Sequence, residues 1–300
     1  MYAITGATGN TGSVVARHLL KHGQQVRAIG RDLNRLQSLV ALGAEPFTAD
    51  LADAARLAKA FSGVQAVYAM IPPLMNSDDY GAYQERIVES IATAIEKSGV
   101  KSVVSLSSVG ADKTDKTGPV VGLHHLEQRL NRIPGTNVLH LRAGYFMENT
   151  LGQAQVIPAL GSTSGPLRAD VKLPMIATQD IGAAAAEALE RRDFRGQQTR
   201  ELLGQRDISY TEVTAIIGKA IGKPELKYVQ GNDEQVRAAL MQMGMSRSLA
   251  NLILEMAAAI NSGHMRALEP RSAANTTPTS YETFVAEEFL PLYKQRSAAA

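Results

Sequence analysis

Short apolar runs alternate with longer amphipathic stretches through the first half of the chain. The runs that predict strands are residues 2–5, 25–29, 45–49, 66–71, 102–107 and 137–141. Between them, apolar residues recur every three or four positions, most regularly at Tyr83, Ile87, Ile91 and Ile95, which is typical of a helix packed on one face. Strands that alternate with helices form βαβ units, and right-handed crossovers then give a doubly wound parallel sheet of the α/β class.

Three glycines follow the first predicted strand at the start of the first predicted helix. The segment reads Gly6-Ala7-Thr8-Gly9-Asn10-Thr11-Gly12. The first glycine permits a tight turn, the second lets the backbone approach a phosphate, and the third lets the helix pack close to the strand. The helix N-terminus supplies free N–H groups, and Thr8, Asn10 and Thr11 add side-chain donors. This context predicts a Rossmann-type site for the pyrophosphate of a dinucleotide; the alternative is a turn that only links strand and helix.

The end of the second strand bears on which dinucleotide binds. An acidic residue about 20 positions after the glycines commonly accepts from the ribose 2′-hydroxyl of NAD. Here that position is Gly30, followed by Arg31, which leaves room for a 2′-phosphate and supplies a guanidinium to pair with it. The pair favours NADP(H) over NAD(H). Arg31 can instead be a solvated arginine, and Asp32 can pair with it.

Two further strand ends are candidate contacts for the cofactor. Asp50-Leu51 follows the third strand, where a carboxylate can accept from the adenine amino group and the leucine can pack on the ring. Asp50 or Asp53 can alternatively cap the next helix. Ile71-Pro72-Pro73 ends the fourth strand, where the backbone would pass the ribose, although prolines there can simply terminate the strand.

The second half of the chain is less regular. Residues 151–172 are rich in Gly, Ser and Pro and predict a loop over a site, and helical patterns follow at 180–189, 210–222, 232–262 and 281–289. We expect a dinucleotide-binding domain over 1–150, with 175–205 packing back onto it. Residues 151–174 and 206–300 would form a smaller, mostly helical substrate-binding domain.

Composition narrows the possible functions. The chain has no cysteine, which excludes disulfides, thiolate catalysis and cysteine-ligated metals, and we predict no metal site. A formal net charge of +2 argues against direct binding of nucleic acid. The apolar runs are short for a membrane helix, and the first residues predict a strand rather than a signal peptide. We therefore expect a cytoplasmic protein with no membrane contact.

The motifs together resemble the NmrA-like branch of the atypical short-chain dehydrogenases. The resemblance rests on the glycine segment, Arg31, Asp50-Leu51, Ser107-Ser108, the stretch Leu141-Arg142-Ala143-Gly144-Tyr145-Phe146-Met147-Glu148-Asn149, and Asn275-Thr276-Thr277-Pro278-Thr279-Ser280-Tyr281. It covers nearly the whole chain and is loosest between 205 and 270. It implies an NADP(H)-binding protein, because members include reductases of quinones, azo dyes and triphenylmethane dyes, and also redox sensors that act on partners without catalysis.

This chain differs from most short-chain dehydrogenases at the position of the catalytic proton donor. Most short-chain dehydrogenases carry a Tyr with a Lys four residues later, whereas the matching helix, residues 120–131, has neither and places His124 and Gln128 there. His124, or His125 beside it, can donate a proton near neutral pH, and Ser107 or Ser108 can hold an acceptor oxygen. The alternatives are a solvated or capping histidine and strand-end hydroxyls that only satisfy loop backbone.

An aromatic pair follows the sixth strand. Gly144, Tyr145 and Phe146 would lie beside the nicotinamide and pack a flat acceptor, although Phe146 can instead belong to the core of the second domain. Met241, Met243, Met245 and Met256 can line a forgiving pocket, with ordinary helix packing as the alternative.

These features predict an NADPH-dependent reductase that transfers hydride to a quinone-like or other flat electrophilic acceptor. The expected partner is a small aromatic molecule, and a homodimer is compatible with the sequence. The alternative is a non-catalytic NADP(H) sensor, which would need a protein partner.

Overall fold

The computed structural model describes residues 1–297. It has twelve strands in this part of the chain: β1 Tyr2–Ile4, β2 Val26–Gly30, β3 Glu45–Thr48, β4 Ala66–Ala69, β5 Ser102–Ser108, β6 Asn137–Ala143, β7 Tyr145–Phe146, β8 Thr163–Gly165, β9 Leu173–Ile176, β10 Gln197–Leu202, β11 Asp207–Ile208 and β12 Tyr228–Gln230. Seven of them form one sheet in the order β10-β6-β5-β4-β1-β2-β3. Every pairing in that sheet is parallel, as the alternating pattern predicts.

The helices are α1 Asn10–Lys21, α2 Leu33–Val40, α3 Ala54–Phe61, α4 Tyr80–Ser98, α5 Val120–Asn131, α6 Gln153–Leu160, α7 Thr178–Arg191, α8 Tyr210–Ala220, α9 Asp233–Gln242, α10 Arg247–Asn261, α11 Tyr281–Phe284 and α12 Leu290–Ser297. A 3₁₀ turn spans Met147–Thr150, and a π-helical segment, Val285–Phe289, joins the last two helices. Within residues 1–297, no helix is both long enough and apolar enough to cross a bilayer.

Helices cover both faces of the seven-stranded sheet. On one face α1, α2 and α7 bury side chains that include Val15, Leu19, Leu36, Ile181 and Leu189. On the other face α3, α4 and α5 bury a separate set, which includes Leu57, Phe61, Ile87, Ile91, Ile95, Leu126 and Leu130. The strand order reverses between β1 and β4, so a crevice opens beyond their carboxyl ends. The predicted doubly wound α/β fold is confirmed.

A second core lies beyond the sheet. It is built mainly from α6, α8, α10, α11 and the π-helical segment, with β9, and it buries Met147, Leu173, Tyr210, Ile217 and Phe289. Two small sheets, β7-β9-β11 and β8-β12, edge this region. Of the segment 175–205, α7 packs on the main sheet and β10 forms its outer strand.

Three stretches of the second half differ from the sequence-based expectation. The loop predicted over 151–172 contains α6 and β8; Ala154 and Ile157 lie three residues apart and are buried, and Gly161 ends the helix with φ +67°. The helical stretch 232–262 is two helices, separated by a turn at Gly244 with φ +89°. The last helical stretch extends past Phe289 because a π turn shifts its register rather than ending it.

Candidate cofactor and substrate cleft

A cleft of about 1440 Å³ lies at the carboxyl ends of the central strands, between the two cores. Most of the candidate residues line it, among them Gly6, Thr8, Gly9, Asn10, Thr11, Arg31, Asp50, Leu51, Ile71, Pro72, Pro73, Ser107, Ser108, Gly144, Tyr145 and Phe146. Among the candidates that do not line it, Gly12 lies buried beneath the glycine loop, His124 is half-buried and His125 is exposed. The cleft therefore joins positions that are separated by more than a hundred residues in sequence.

The first turn of α1 opens into this cleft without a side-chain cap. Helices α2, α3 and α4 are capped at their N-termini by Asp32, Asp53 and Asp79, whose carboxylates accept backbone N–H groups. The N-cap residue of α1 is Gly9, so this helix has no side-chain cap, and its first turn carries no acidic residue. Its free N–H groups and the positive end of its dipole remain available to an anion.

The glycines place this helix end close to the strand. Gly6 has φ +58°, a left-handed conformation that favours glycine. A Cβ on Gly12 would lie 2.3 Å from the carbonyl oxygen of Gly6, so any larger residue would push α1 away from the loop. Gly12 thus contributes packing beneath the loop rather than a surface in the cleft.

Two arginines stand at the far end of the cleft from the aromatic segment. Arg31 and Arg35 both line the cleft and are exposed, and within residues 1–297 neither forms an ion pair with a carboxylate. Asp32 forms no ion pair with Arg31; its Oδ1 accepts from the backbone N–H of Asn34 at 2.8 Å and caps α2. Arg35 was not singled out in the sequence, although its position four residues after Arg31 at the start of α2 is the available signal.

The carboxylate of Asp50 is positioned by its own loop. Its Oδ1 accepts from Ala52 N at 2.9 Å, and the cap of α3 is Asp53, which accepts from Arg56 N at 2.9 Å. The Oδ2 of Asp50 is therefore not required for the cap. On the next strand end, Tyr83 donates from Oη to the carbonyl of Pro72 at 2.8 Å, and burial raises the pKa of Tyr83.

Ser107 is held by a buried ion pair. Its Oγ donates to Glu127 Oε1 at 2.6 Å, and Arg142 donates to the same carboxylate from Nε at 2.9 Å and from Nη2 at 2.6 Å. The hydrogen bond to Glu127 raises the pKa of Arg142, so the guanidinium stays charged. Because a carboxylate only accepts, the Ser107 proton is committed to Glu127, and the hydroxyl presents lone pairs to the cleft. Sequence analysis missed Glu127, which lies one helical turn after His124.

His124 has a different environment from the one expected. Its Nδ1 donates to the carbonyl of Ala111 at 2.8 Å, across to the loop that follows β5. A carbonyl only accepts, so this nitrogen carries the proton. The position of His124 does not support a role as proton donor in the cleft. Its hydrogen bond instead connects α5 to the loop that follows β5.

An aromatic wall closes the other end of the cleft. Tyr145 accepts from Tyr210 Oη at 3.3 Å, and burial raises the pKa of Tyr145, which keeps its phenol neutral. Phe146 lines the cleft and packs on the core of the main sheet rather than on the second core. Gly144 is required for close packing, since a Cβ there would lie 2.5 Å from the carbonyl oxygen of Pro174.

Fewer of the candidate methionines line the cleft than the sequence analysis considered. Of the four candidates only Met256 lines the cleft, whereas Met241 and Met243 are exposed on α9 and in the turn after it. Met265 lines it as well, from the segment that follows α10.

Glu148 fixes the turn after the aromatic pair. Its Oε1 accepts from the backbone N–H of Thr178 at 2.9 Å and from Thr178 Oγ1 at 2.6 Å, so it caps α7 from outside the helix. Burial raises the pKa of this carboxyl. The contact joins the cleft wall to the helix that packs beside α1.

The chain matches the model of the NmrA-like family over residues 2–290. It is 30% identical to an NAD(P)H azoreductase of Xenophilus azovorans over 258 residues, which are 85% of this chain and 86% of the relative. It is also 30% identical to quinone oxidoreductase 2 of Escherichia coli (strain K12) over 262 residues, with shares of 85% and 86%.

Solved structures are also similar to this chain. The NADPH-dependent quinone oxidoreductase QOR2 of Escherichia coli, complexed with NADPH, superposes with a TM-score of 0.76 at 25% identity, and the match covers 100% of this chain and 99% of that one. NmrA, a negative transcriptional regulator solved with NADP, superposes with a TM-score of 0.73 at 16% identity over 98% and 96% of the two chains, a likeness of fold. With its fold, its glycine loop and its match over residues 2–290, the chain belongs to the NmrA-like family.

Proposed function

We propose that this protein is an NADPH-dependent reductase that transfers hydride to a quinone-like or similarly flat, electrophilic acceptor. The observation that carries the proposal is that the uncapped end of α1, Arg31 and the aromatic wall at Tyr145 and Phe146 all line one continuous cleft. A dinucleotide binds in such a cleft, at the switch point of a doubly wound sheet.

The chain's own residues fit the cofactor. The free N–H groups of α1 suit the pyrophosphate, and the Arg31 and Arg35 guanidinium groups, which lack a carboxylate partner in the described chain, suit a 2′-phosphate. The free oxygen of Asp50 can accept from an adenine amino group. Bound NADPH supplies hydride from its nicotinamide, and a quinone that takes this hydride and one proton from solvent becomes the hydroquinone.

The acceptor is inferred from what the cleft offers and what it lacks. Helix α5 has neither Tyr nor Lys, His124 is engaged with Ala111, and the Ser107 proton is engaged with Glu127. A quinone or a dye cation takes hydride with little acid assistance, so holding it flat against the nicotinamide is most of the catalysis. Tyr145, Phe146 and Met256 provide an apolar wall for this purpose. The relatives that are named as quinone and azo reductases support the same class.

Turnover tests the proposal directly. Purified protein and NADPH are mixed with a benzoquinone, a naphthoquinone, an azo dye and a cationic triphenylmethane dye, and the absorbance of reduced nicotinamide is followed. We expect oxidation of NADPH above background with at least one acceptor, and slower oxidation of NADH. Tight binding of NADPH with no turnover across the panel would contradict the reductase and favour a sensor.

Two variants of Tyr145 distinguish the contribution of its aromatic ring to activity from that of its hydroxyl. Tyr145→Phe keeps the wall and should change kcat/KM for the acceptor by less than about threefold, whereas Tyr145→Ala should lower it by roughly tenfold or more through KM. Affinity for NADPH serves as the control. A Tyr145→Phe protein that lost turnover would instead make the phenol a proton donor.

A further inference from the structure

We infer that His18, His22 and Glu190 form a binding site for a divalent transition metal such as Zn²⁺, at the end of α1 remote from the cleft. Each residue offers one ligand atom, and the three atoms lie within 4.8 Å of one another. The site is independent of the proposed reductase function, since none of the three residues lines the cleft.

The spacing of the histidines places both rings on one side of α1. Residues four apart on a helix lie one above the other, and the two ring centroids are 4.2 Å apart at 65°. Glu190 approaches from α7, with its Oε1 at 3.0 Å and its Oε2 at 3.1 Å from His22 Nδ1. His18 Nε2 lies 3.7 Å from Glu190 Oε2. Three donors therefore converge from two helices.

A second observation points to a ligand. His18 Nε2 is buried, and in the described part of the chain it has no hydrogen-bond partner. Leaving a buried polar nitrogen unpaired is unfavourable, and the lone pair of a neutral imidazole is a standard donor to zinc. The His22–Glu190 contact alone would not require His18 to face this point.

The helices that carry the donors are already fixed against each other. A Cβ on Gly182 of α7 would lie 2.5 Å from Val14 Cβ and 3.0 Å from the carbonyl oxygen of Thr11, so the two helices are in close contact nearer the glycine loop. At about 1.5 Å per residue, His18 lies about 6 Å and His22 about 12 Å beyond Val14 along α1. A metal there would clamp the far ends of α1 and α7.

The donor set selects the class of metal. Two imidazole nitrogens and one carboxylate oxygen suit Zn²⁺, Co²⁺, Ni²⁺ or Cu²⁺, whereas Mg²⁺ and Ca²⁺ prefer oxygen ligands alone. Three protein ligands leave a coordination position for water. The side chains of His18, His22 and Glu190 are 23%, 48% and 22% exposed, so the three residues lie at the protein surface although His18 Nε2 itself is buried.

The test is metal titration of the full chain after removal of any histidine tag and treatment with a chelator. We expect one equivalent of Zn²⁺ to bind, and one equivalent of Co²⁺ to develop the visible absorption of a low-coordinate nitrogen–oxygen site. His18→Ala, His22→Ala and Glu190→Gln should each weaken binding by at least about tenfold and remove the absorption, because each loses a ligand.

His264→Ala is the matched control, since it removes an exposed histidine elsewhere and should bind as the parent does. Zn²⁺ should also raise the Tm of the parent and not that of His22→Ala, an exposed position whose replacement leaves the core intact. No saturable binding, or binding that survives in all three ligand variants, would overturn the site. The titration requires no NADPH or acceptor, so its outcome is separate from the test of reductase activity.

Discussion

Arg31 and Arg35 are the residues on which discrimination between the two dinucleotides should depend. Replacing Arg31 by Ala removes a charge-assisted contact that only the 2′-phosphate can make. We expect NADPH to bind about 10- to 100-fold more weakly and NADH to change by less than about threefold. Fluorescence titration with each cofactor measures both values.

Arg132→Ala provides the comparison for Arg31→Ala, because Arg132 is an exposed arginine at the end of α5 that does not line the cleft. It should leave both affinities unchanged. Equal weakening of NADPH and NADH by Arg31→Ala would mean that the 2′-phosphate lies elsewhere.

His140 links stability to pH. Ser105 donates to its Nδ1 at 2.6 Å and its Nε2 donates to Asn131 at 2.9 Å, which fits the neutral ring. Burial, aided by the Arg142 charge and opposed by Glu127, lowers the pKa of His140 from 6.5 to about 4. Between these values the unfolded chain binds a proton that the native chain does not, so stability is lost as the pH falls. We expect a loss of about 2 kcal/mol between about pH 7 and pH 5.

Urea unfolding at the two pH values measures that loss. His140→Gln, which keeps a donor and an acceptor but does not titrate here, should lose clearly less than the parent over the same interval. The same loss in both proteins would assign the pH dependence to other groups.

Individual side-chain roles were the least predictable feature of the cleft. The sequence places Ser107 at the end of a strand, but its partner Glu127 comes from α5, and Arg142, which pairs with Glu127, comes from β6. Such a triad depends on tertiary packing and leaves no periodic signal. The same limit applies to His124, whose partner Ala111 lies in an irregular loop.

Helix α1 is the element on which cofactor binding most depends, and its close contact with the glycine loop can be tested. Gly12→Ala would place a Cβ 2.3 Å from the Gly6 carbonyl oxygen. We expect a loss of about 1–3 kcal/mol in the free energy of unfolding, and weaker binding of NADPH and NADH alike. Thermal unfolding and cofactor titration together measure this.

Gly81→Ala is the matched helical control. Gly81 lies in the first turn of α4, and the nearest atom to an added Cβ is Asp79 Oδ1 at 3.6 Å, an ordinary contact. It should be neutral or stabilising by up to about 1 kcal/mol. Similar destabilisation in both variants would remove the argument for close packing at Gly12.

Elements with a strong period were predicted well, and short ones were not. Helix α4 spans Tyr80–Ser98, as its apolar repeat indicates. Helix α6 has eight residues, contains Pro158 and is followed by Gly161, and these two breaker residues hide its short helical pattern. Its stability comes from burying Ala154 and Ile157 in the second core, which a local pattern does not report.

At the scale of the whole molecule, the segment Asn275–Tyr281 ties the chain end to the main sheet. Thr279 donates to buried Asp180 on α7 from its backbone N at 3.0 Å and from Oγ1 at 2.7 Å. Asp180→Ala leaves both donors without this acceptor, so we expect a loss of about 2–4 kcal/mol in the free energy of unfolding. Limited trypsin digestion should also cut faster at Arg271, just before the segment.

Asp233→Ala removes an exposed first-turn acid from α9 and should cost less than about 1 kcal/mol. If Asp180→Ala were no more destabilising than Asp233→Ala, the segment would not be a structural tie.

The resemblance stated from the motifs extends to the whole molecule, and the family assignment is confirmed. The sequence could not show that two cores face each other across one cleft, because the second core is assembled from helices and short strands spread over residues 147–293. The placement of Met256 and Met265 in that cleft, and of Met241 and Met243 outside it, follows only from that assembly.

The most direct test of the account is a single-turnover experiment. The protein, preloaded with one equivalent of NADPH, is mixed rapidly with excess benzoquinone while nicotinamide absorbance is recorded. We predict complete oxidation of the bound NADPH, much faster than free NADPH reacts with the same quinone. Bound NADPH that reacts no faster than free NADPH would contradict a reductase.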